Sequence, residues 1–161
     1  MKRIDDILEH PEFKENIKRI NEAEIDRIYC LHGIEHLLDV ARISYIINME
    51  ENLGYNKEVI YAMGLLHDIG RNLEYQQGVS HHQAGGEIAF EILKDVGFCE
   101  EECKMICQAI KNHKEPMDGE DKKSLNYLLF KADKLSRNCF NCKAYDSCYW
   151  EVSKKNKGIT V

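Results

Sequence analysis

At 161 residues, with 43% hydrophobic and 31% charged residues, the chain has the size and balance of one globular core rather than a disordered or fibrous segment. A net charge of -6 without a basic stripe makes nucleic acid an unexpected main partner and leaves room for bound cations. No run approaches the roughly 18 apolar residues of a membrane span, and the charged start MKRIDDILEH does not read as an export leader, so a cytoplasmic protein without a membrane partner is expected.

Apolar residues recur at spacings of three and four nearly throughout, and the chain has only two prolines, so helices are expected along its length. A first helix is predicted over residues 11–27, with Pro11 in its first turn, where a missing N–H costs nothing. A second is predicted over 34–51, facing inward through Leu37, Leu38, Ala41, Tyr45 and Met49, with Gly54 as its breaker. A third runs over 57–67 and stops at Gly70; residues 71–79 read as a loop. Ser80 and Gln83 fit a capping box that opens a fourth helix over 80–96, with Ala84, Gly85, Ile88, Ala89, Ile92, Leu93 and Val96 inward and Gly97 as its stop. Residues 100–113 and 122–137 form the fifth and sixth. With no repeat and no linker, the expected architecture is an all-α, single compact helical bundle over 1–161. A cysteine-rich tail, residues 138–161, packs on it through Tyr149 and Trp150.

Four metal-ligating residues stand at or near predicted helix ends. His36 lies in HGIEH, His67 and Asp68 are adjacent in LLHDIG, and Asp133 sits in FKADKL on an otherwise apolar face. A half-buried carboxylate needs a counter-charge, and imidazole mixed with carboxylate suits Mn, Fe, Ni, Co or Zn. Taken in order, H…HD…D in helical context resembles the HD-domain metal-dependent phosphohydrolase superfamily, over about residues 27–137.

That resemblance implies an all-α fold with His36, His67, Asp68 and Asp133 on one divalent ion. In two-metal members it implies two further histidines. HHQAGGEIA supplies His81 as the matching ligand, and IKNHKE supplies His113. On the predicted helix His81 falls nearer the inner face than His82; His82 is left as the alternative ligand, a substrate-facing group or an exposed one. Lys114 stands where the cyclic-di-GMP phosphodiesterase branch has a second histidine, and the Gly-Tyr-Pro signature is missing after Gly119, so that activity is not expected.

The expected activity is hydrolysis of a small phosphorylated metabolite or nucleotide by a metal-activated hydroxide, with His67 and Asp68 catalytic and Asp68 bridging two ions drawn from Fe, Mn, Ni, Co, Zn or Mg. Arg71 is the first choice for holding phosphate oxygens, followed by Lys134, Lys114 and His32; each competes with the reading of an ordinary solvated group. Residues 71–79 and 115–123 are expected to wall the pocket. A di-iron oxygenase with the same ligands and a non-catalytic nucleotide-binding sensor are the competing functions.

Cys139, Cys142 and Cys148 form a C-x2-C-x5-C set that, with Cys30, suits a zinc site or an iron–sulfur cluster; plain thiols are the alternative. Cys99, Cys103 and Cys107 recur every four residues and are expected to pack on one helix face.

Overall fold

The computed structural model describes residues 1–114, 119, 121–159 and 161. Among them are eight α-helices, two 3-10 turns and no strand. The helices are α1 (Lys2–Glu9), α2 (Pro11–Ala23), α3 (Ile34–Glu50), α4 (Lys57–Leu66), α5 (Arg71–Gln77), α6 (His81–Asp95), α7 (Glu100–Asn112) and α8 (Leu125–Leu135). The 3-10 turns lie at Cys139–Asn141 and Val152–Lys154.

Local chemistry sets the helix ends. Pro11 opens α2 while the His10 ring accepts from the Glu12 N–H. Asn56 and Ser124 cap α4 and α8 by accepting from the N–H groups of Glu58 and Tyr127. Ser80 precedes α6 but makes no side-chain cap bond, so the expected capping box does not form. Gly78, with φ 69°, ends α5 in the left-handed conformation that glycine adopts without strain.

The core is a continuous apolar cluster in which α3 packs on α4 and α8, and α6 packs on α7. On α3 the buried stripe is Leu37, Val40, Ala41, Ser44, Ile47 and Asn48. The expected face was turned too far, and Met49 is 58% exposed. Cys103 and Cys107 are buried in α7, whereas Cys99 is exposed ahead of it. At the far end from the tail, the Arg3 guanidinium donates to Glu58 (2.7 Å) and Glu102 (2.6 Å) and lies 3.9 Å from the Phe98 ring centre. This one side chain ties α1 to α4 and α7.

Gly64 lets α3, which carries His36, and α4, which leads into His67, lie side by side. A Cβ there would lie 2.6 Å from the Ala41 Cα, so α3 and α4 meet backbone to backbone.

Residues 71–79 are a correction: most of the segment is helix α5 rather than loop. Its buried residue is Asn72, which donates to Asn16 of α2 (3.3 Å). The expected sixth helix starts three residues late, at Leu125. Much of the second expected pocket wall, residues 115–118 and 120, lies outside the described residues.

Beyond α8 the tail lies on the helices. The Asn156 amide donates to the carbonyls of Lys134 and Arg137 (both 2.8 Å), satisfying acceptors that the end of α8 leaves open. Trp150 lies under the Arg137 guanidinium at 4.0 Å, and Tyr149, itself largely exposed, meets Tyr29 edge-on at 5.8 Å.

Candidate metal centre

Four histidines are held by their Nδ1 atoms with Nε2 left for other partners. His67 follows the last turn of α4 and donates from Nδ1 to the Gly64 carbonyl (2.7 Å). His113 does the same after α7, donating to Ile110 (2.7 Å). In α6, His81 is paired through Nδ1 with Glu74 (2.7 Å). Ser136 gives its proton to the Asp133 carbonyl (2.8 Å), so its oxygen accepts from His36 Nδ1 (3.3 Å). Such outer partners fix the tautomer that leaves a lone pair on Nε2.

Those nitrogens converge on two carboxylates. His67 Nε2 and His36 Nε2 lie 3.3 and 3.6 Å from Asp68 Oδ2, and His36 Nε2 lies 3.6 Å from Asp133 Oδ1. The other oxygen, Asp68 Oδ1, lies 3.5 Å from His81 Nε2. Asp68 thus divides its two oxygens between two histidine groups. Ligand atoms of His36, His67 and Asp133 fall within 4.8 Å of one another, as do those of His67, Asp68 and His113, and those of His81, His82 and His113.

Asp68 Oδ1 and His81 Nε2 are buried without a hydrogen bond. Two electron-pair donors 3.5 Å apart at a buried site are costly without a cation in line with both, and Arg71 Nε, 3.0 Å from the same Asp68 oxygen, makes no hydrogen bond to it, so these residues fit a divalent ion.

Burial opposes ionisation of Asp68, but His67 and Arg71 overcome it and hold the carboxyl well below its ordinary range. Burial likewise works against the charged form of Asp133, and the Lys134 ammonium leads the groups that pull it down. His67 is lowered by burial but raised more by Asp68, for a net upward shift. His113 is pushed down to about 3, by burial and then by His67, and His82 to about 4, by burial and then by His81. Neutral rings are the ligating form.

A cavity of about 690 Å³ opens onto this centre. His81, His82, His113 and Asp133 line it, together with every group expected to hold substrate: Arg71, Lys134, Lys114 and His32. Arg71 Nε approaches Asp68 Oδ1 to 3.0 Å without donor geometry, and Lys134 Nζ donates to Asp133 Oδ2 (2.6 Å). His32 is held from behind by Glu24, which also accepts from the Tyr75 hydroxyl. The chain is acidic as a whole, yet Arg27, Arg137 and Lys154 add to the positive charge of this cleft.

The HD-domain profile matches residues 33–138. The chain belongs to the HD-domain family. This is a superfamily of metal-dependent hydrolases whose domains bind divalent metals. An uncharacterised protein of Clostridium beijerinckii is 46% identical over 158 residues, covering 97% of each chain. Ribonuclease Y of Mycoplasma mycoides is 30% identical over 122 residues, which is 76% of this chain but 26% of that protein. The crystal structure of a predicted HD superfamily hydrolase from an uncultured Thermotogales bacterium covers 90% of this chain and 82% of its own, with TM-score 0.62 and 24% identity, and shares the fold.

Within this HD domain, His36, His67, Asp68, His81, His82, His113 and Asp133 are brought together. Sequence reasoning did not find Glu74, Ser136, Glu24 or Arg137. Arg71 and Glu74, three apart, would have paired had residues 71–77 been read as helix. Cys30, Cys139, Cys142 and Cys148 belong to none of these histidine groups; they line a second cavity of about 320 Å³ that His36 also borders.

Proposed function

We propose that this HD domain is a two-metal phosphohydrolase acting on a small phosphorylated metabolite, with nucleotides the favoured class. The observation that carries the reading is the junction of a buried imidazole–carboxylate centre with a strongly cationic cleft of about 690 Å³. Asp68 would bridge, with His36, His67 and Asp133 on one side and His81 and His113 on the other. Divalent ions held there would supply Lewis-acid charge to a phosphoryl oxygen and make a water acidic enough to ionise near neutral pH.

The chain's own groups do the rest. Arg71 can hold phosphate oxygens in a two-pronged contact, and Lys134 and Lys114 add point charges beside them. His82, half-buried, lines the cleft with its Nδ1 3.4 Å from that of His113. Tyr29, Phe130, Tyr149 and Trp150 line the same cleft, and aromatic faces of this kind stack nucleobases for about 1–3 kcal/mol each.

The test is release of inorganic phosphate or a nucleoside from a panel of phosphate monoesters and diesters, after loading the protein anaerobically with Mn, Fe, Co, Ni, Zn or Mg. Arg71→Ala should raise KM, and Asp68→Ala should lose metal and turnover together. Metal-loaded protein that turns over no phosphate ester would refute the reading. Substrate-dependent O₂ consumption would point to the oxygenase instead, and thermal stabilisation by nucleotides without product would point to a sensor.

A further inference from the structure

Cys30, Cys139, Cys142 and Cys148 are free thiols that the HD-domain chemistry does not use. They come from two distant stretches of chain, the loop before α3 and the tail, yet all four line one cavity of about 320 Å³. Local bonds bring them there. The Cys142 N–H donates to the Cys139 carbonyl (3.1 Å), closing a tight turn between the two. The Tyr29 hydroxyl donates to the Ser147 carbonyl (3.2 Å), which draws the neighbours of those residues, Cys30 and Cys148, to the same wall. The Lys155 ammonium, itself buried, donates to the Tyr145 carbonyl and holds the far end of the loop.

Sulfur spacing separates the two kinds of centre that four cysteines make. A single tetrahedral zinc, with bonds near 2.3 Å, draws its sulfurs to about 3.8 Å from one another. Among the described residues, no three of these sulfurs lie within 4.8 Å of one another, a limit that the histidine and aspartate groups do meet. In a four-iron cluster each thiolate binds a different iron, so the sulfurs stand farther apart around a hollow.

We infer that Cys30, Cys139, Cys142 and Cys148 hold a [4Fe–4S] cluster. Each thiol releases its proton as its sulfur bonds one iron of the incoming cluster, with no change of oxidation state. Arg137 and Lys155 line the cavity and, with Asp39 as the one acid beside them, leave its wall net positive against the resulting negative charge. Cys30, Cys148 and Arg137 also line the cleft above the metal centre, so the cluster would fix one wall of the substrate site.

Iron in the HD centre would confuse an iron assay, so acid-labile sulfide is the deciding readout. Protein purified anaerobically, or reconstituted with ferrous iron and sulfide, should hold about four sulfides per chain and a visible absorbance bleached by dithionite. Cys142→Ser and Cys148→Ser should each lower sulfide at least about tenfold. His113→Ala and Cys99→Ser should leave it unchanged. Sulfide-free wild-type protein after reconstitution would overturn the inference, whether or not the cysteine variants fold. One tightly bound zinc per chain, lost in Cys142→Ser without any sulfide in the wild type, would overturn it in favour of a mononuclear site.

Discussion

In Gly70→Ala, the added methyl carbon would lie 2.2 Å from the His81 carbonyl oxygen and 2.4 Å from the Gly85 amide nitrogen. Both neighbours are backbone, so no rotamer change relieves the clash. Restoring ordinary contact requires α6 to withdraw from the HDIG turn by about 1 Å, the kind of overpacking that costs about 1–3 kcal/mol. For a chain of this length that corresponds to a fall in Tm of about 2–12 °C. The same withdrawal carries His81 away from Asp68 Oδ1, and metal affinity should fall about 10–100-fold, as when an outer-sphere support is lost. Differential scanning fluorimetry and a chelator-competition titration measure the two effects. Gly158→Ala, whose Cβ would meet nothing within 4 Å, is the matched control and should be silent. A Gly70→Ala protein that melts with the control and binds metal equally well would show that the glycine does not set the spacing of α6.

Three other perturbations probe the supports of the site and fold. Glu74→Ala removes the acceptor for His81 Nδ1 and should weaken metal binding about 10–100-fold, while Glu74→Gln, whose amide oxygen still accepts, should retain most of it; equal affinity in wild type and Glu74→Ala would sink the assignment. Burial opposes ionisation of Glu24, but hydrogen bonds from His32 and Tyr75 outweigh it and bring the carboxyl from 4.5 to about 2. Because the folded value is the lower one, this stabilisation is complete above about pH 4.5 and is lost as pH falls towards 2, with an upper bound of about 3 kcal/mol before solvent screening. Urea melts of wild type and Glu24→Gln should therefore converge over that range, and parallel curves would exclude Glu24 as the source. Arg3→Ala breaks the clasp between α1, α4 and α7 and should cost about 1–2 kcal/mol, with part of that loss relieved at high salt; a urea midpoint unmoved by the substitution would show that the clasp contributes nothing.

The long helices were legible because their apolar residues repeat every three or four positions, and α3, α4, α6 and α7 begin within a residue or so of expectation. Two short helices were not. In α1 only Ile4 and Ile7 are buried, too few to make a pattern, and α5 buries an asparagine instead of an apolar stripe. The residues facing the metal centre were legible as ordered motifs. Their supports were not, because a glutamate such as Glu74 or a serine such as Ser136 acquires its role only when a distant histidine is folded against it. The full extent of the basic cleft was hidden for a related reason: Arg27, Arg137 and Lys154, which join the expected Arg71, Lys114 and Lys134, are scattered along a net-acidic chain and meet them only in three dimensions.

Arg71 and Lys134 each already lean on a carboxylate at the centre, Asp68 and Asp133 respectively. A divalent ion held by either carboxylate would compete with that hold and leave the cation free for an anion in the cleft. Metal and phosphate would then promote each other's binding, and the coupling must be equal in both directions. Such a centre would select for order, taking up its anionic ligand poorly until its metals are in place.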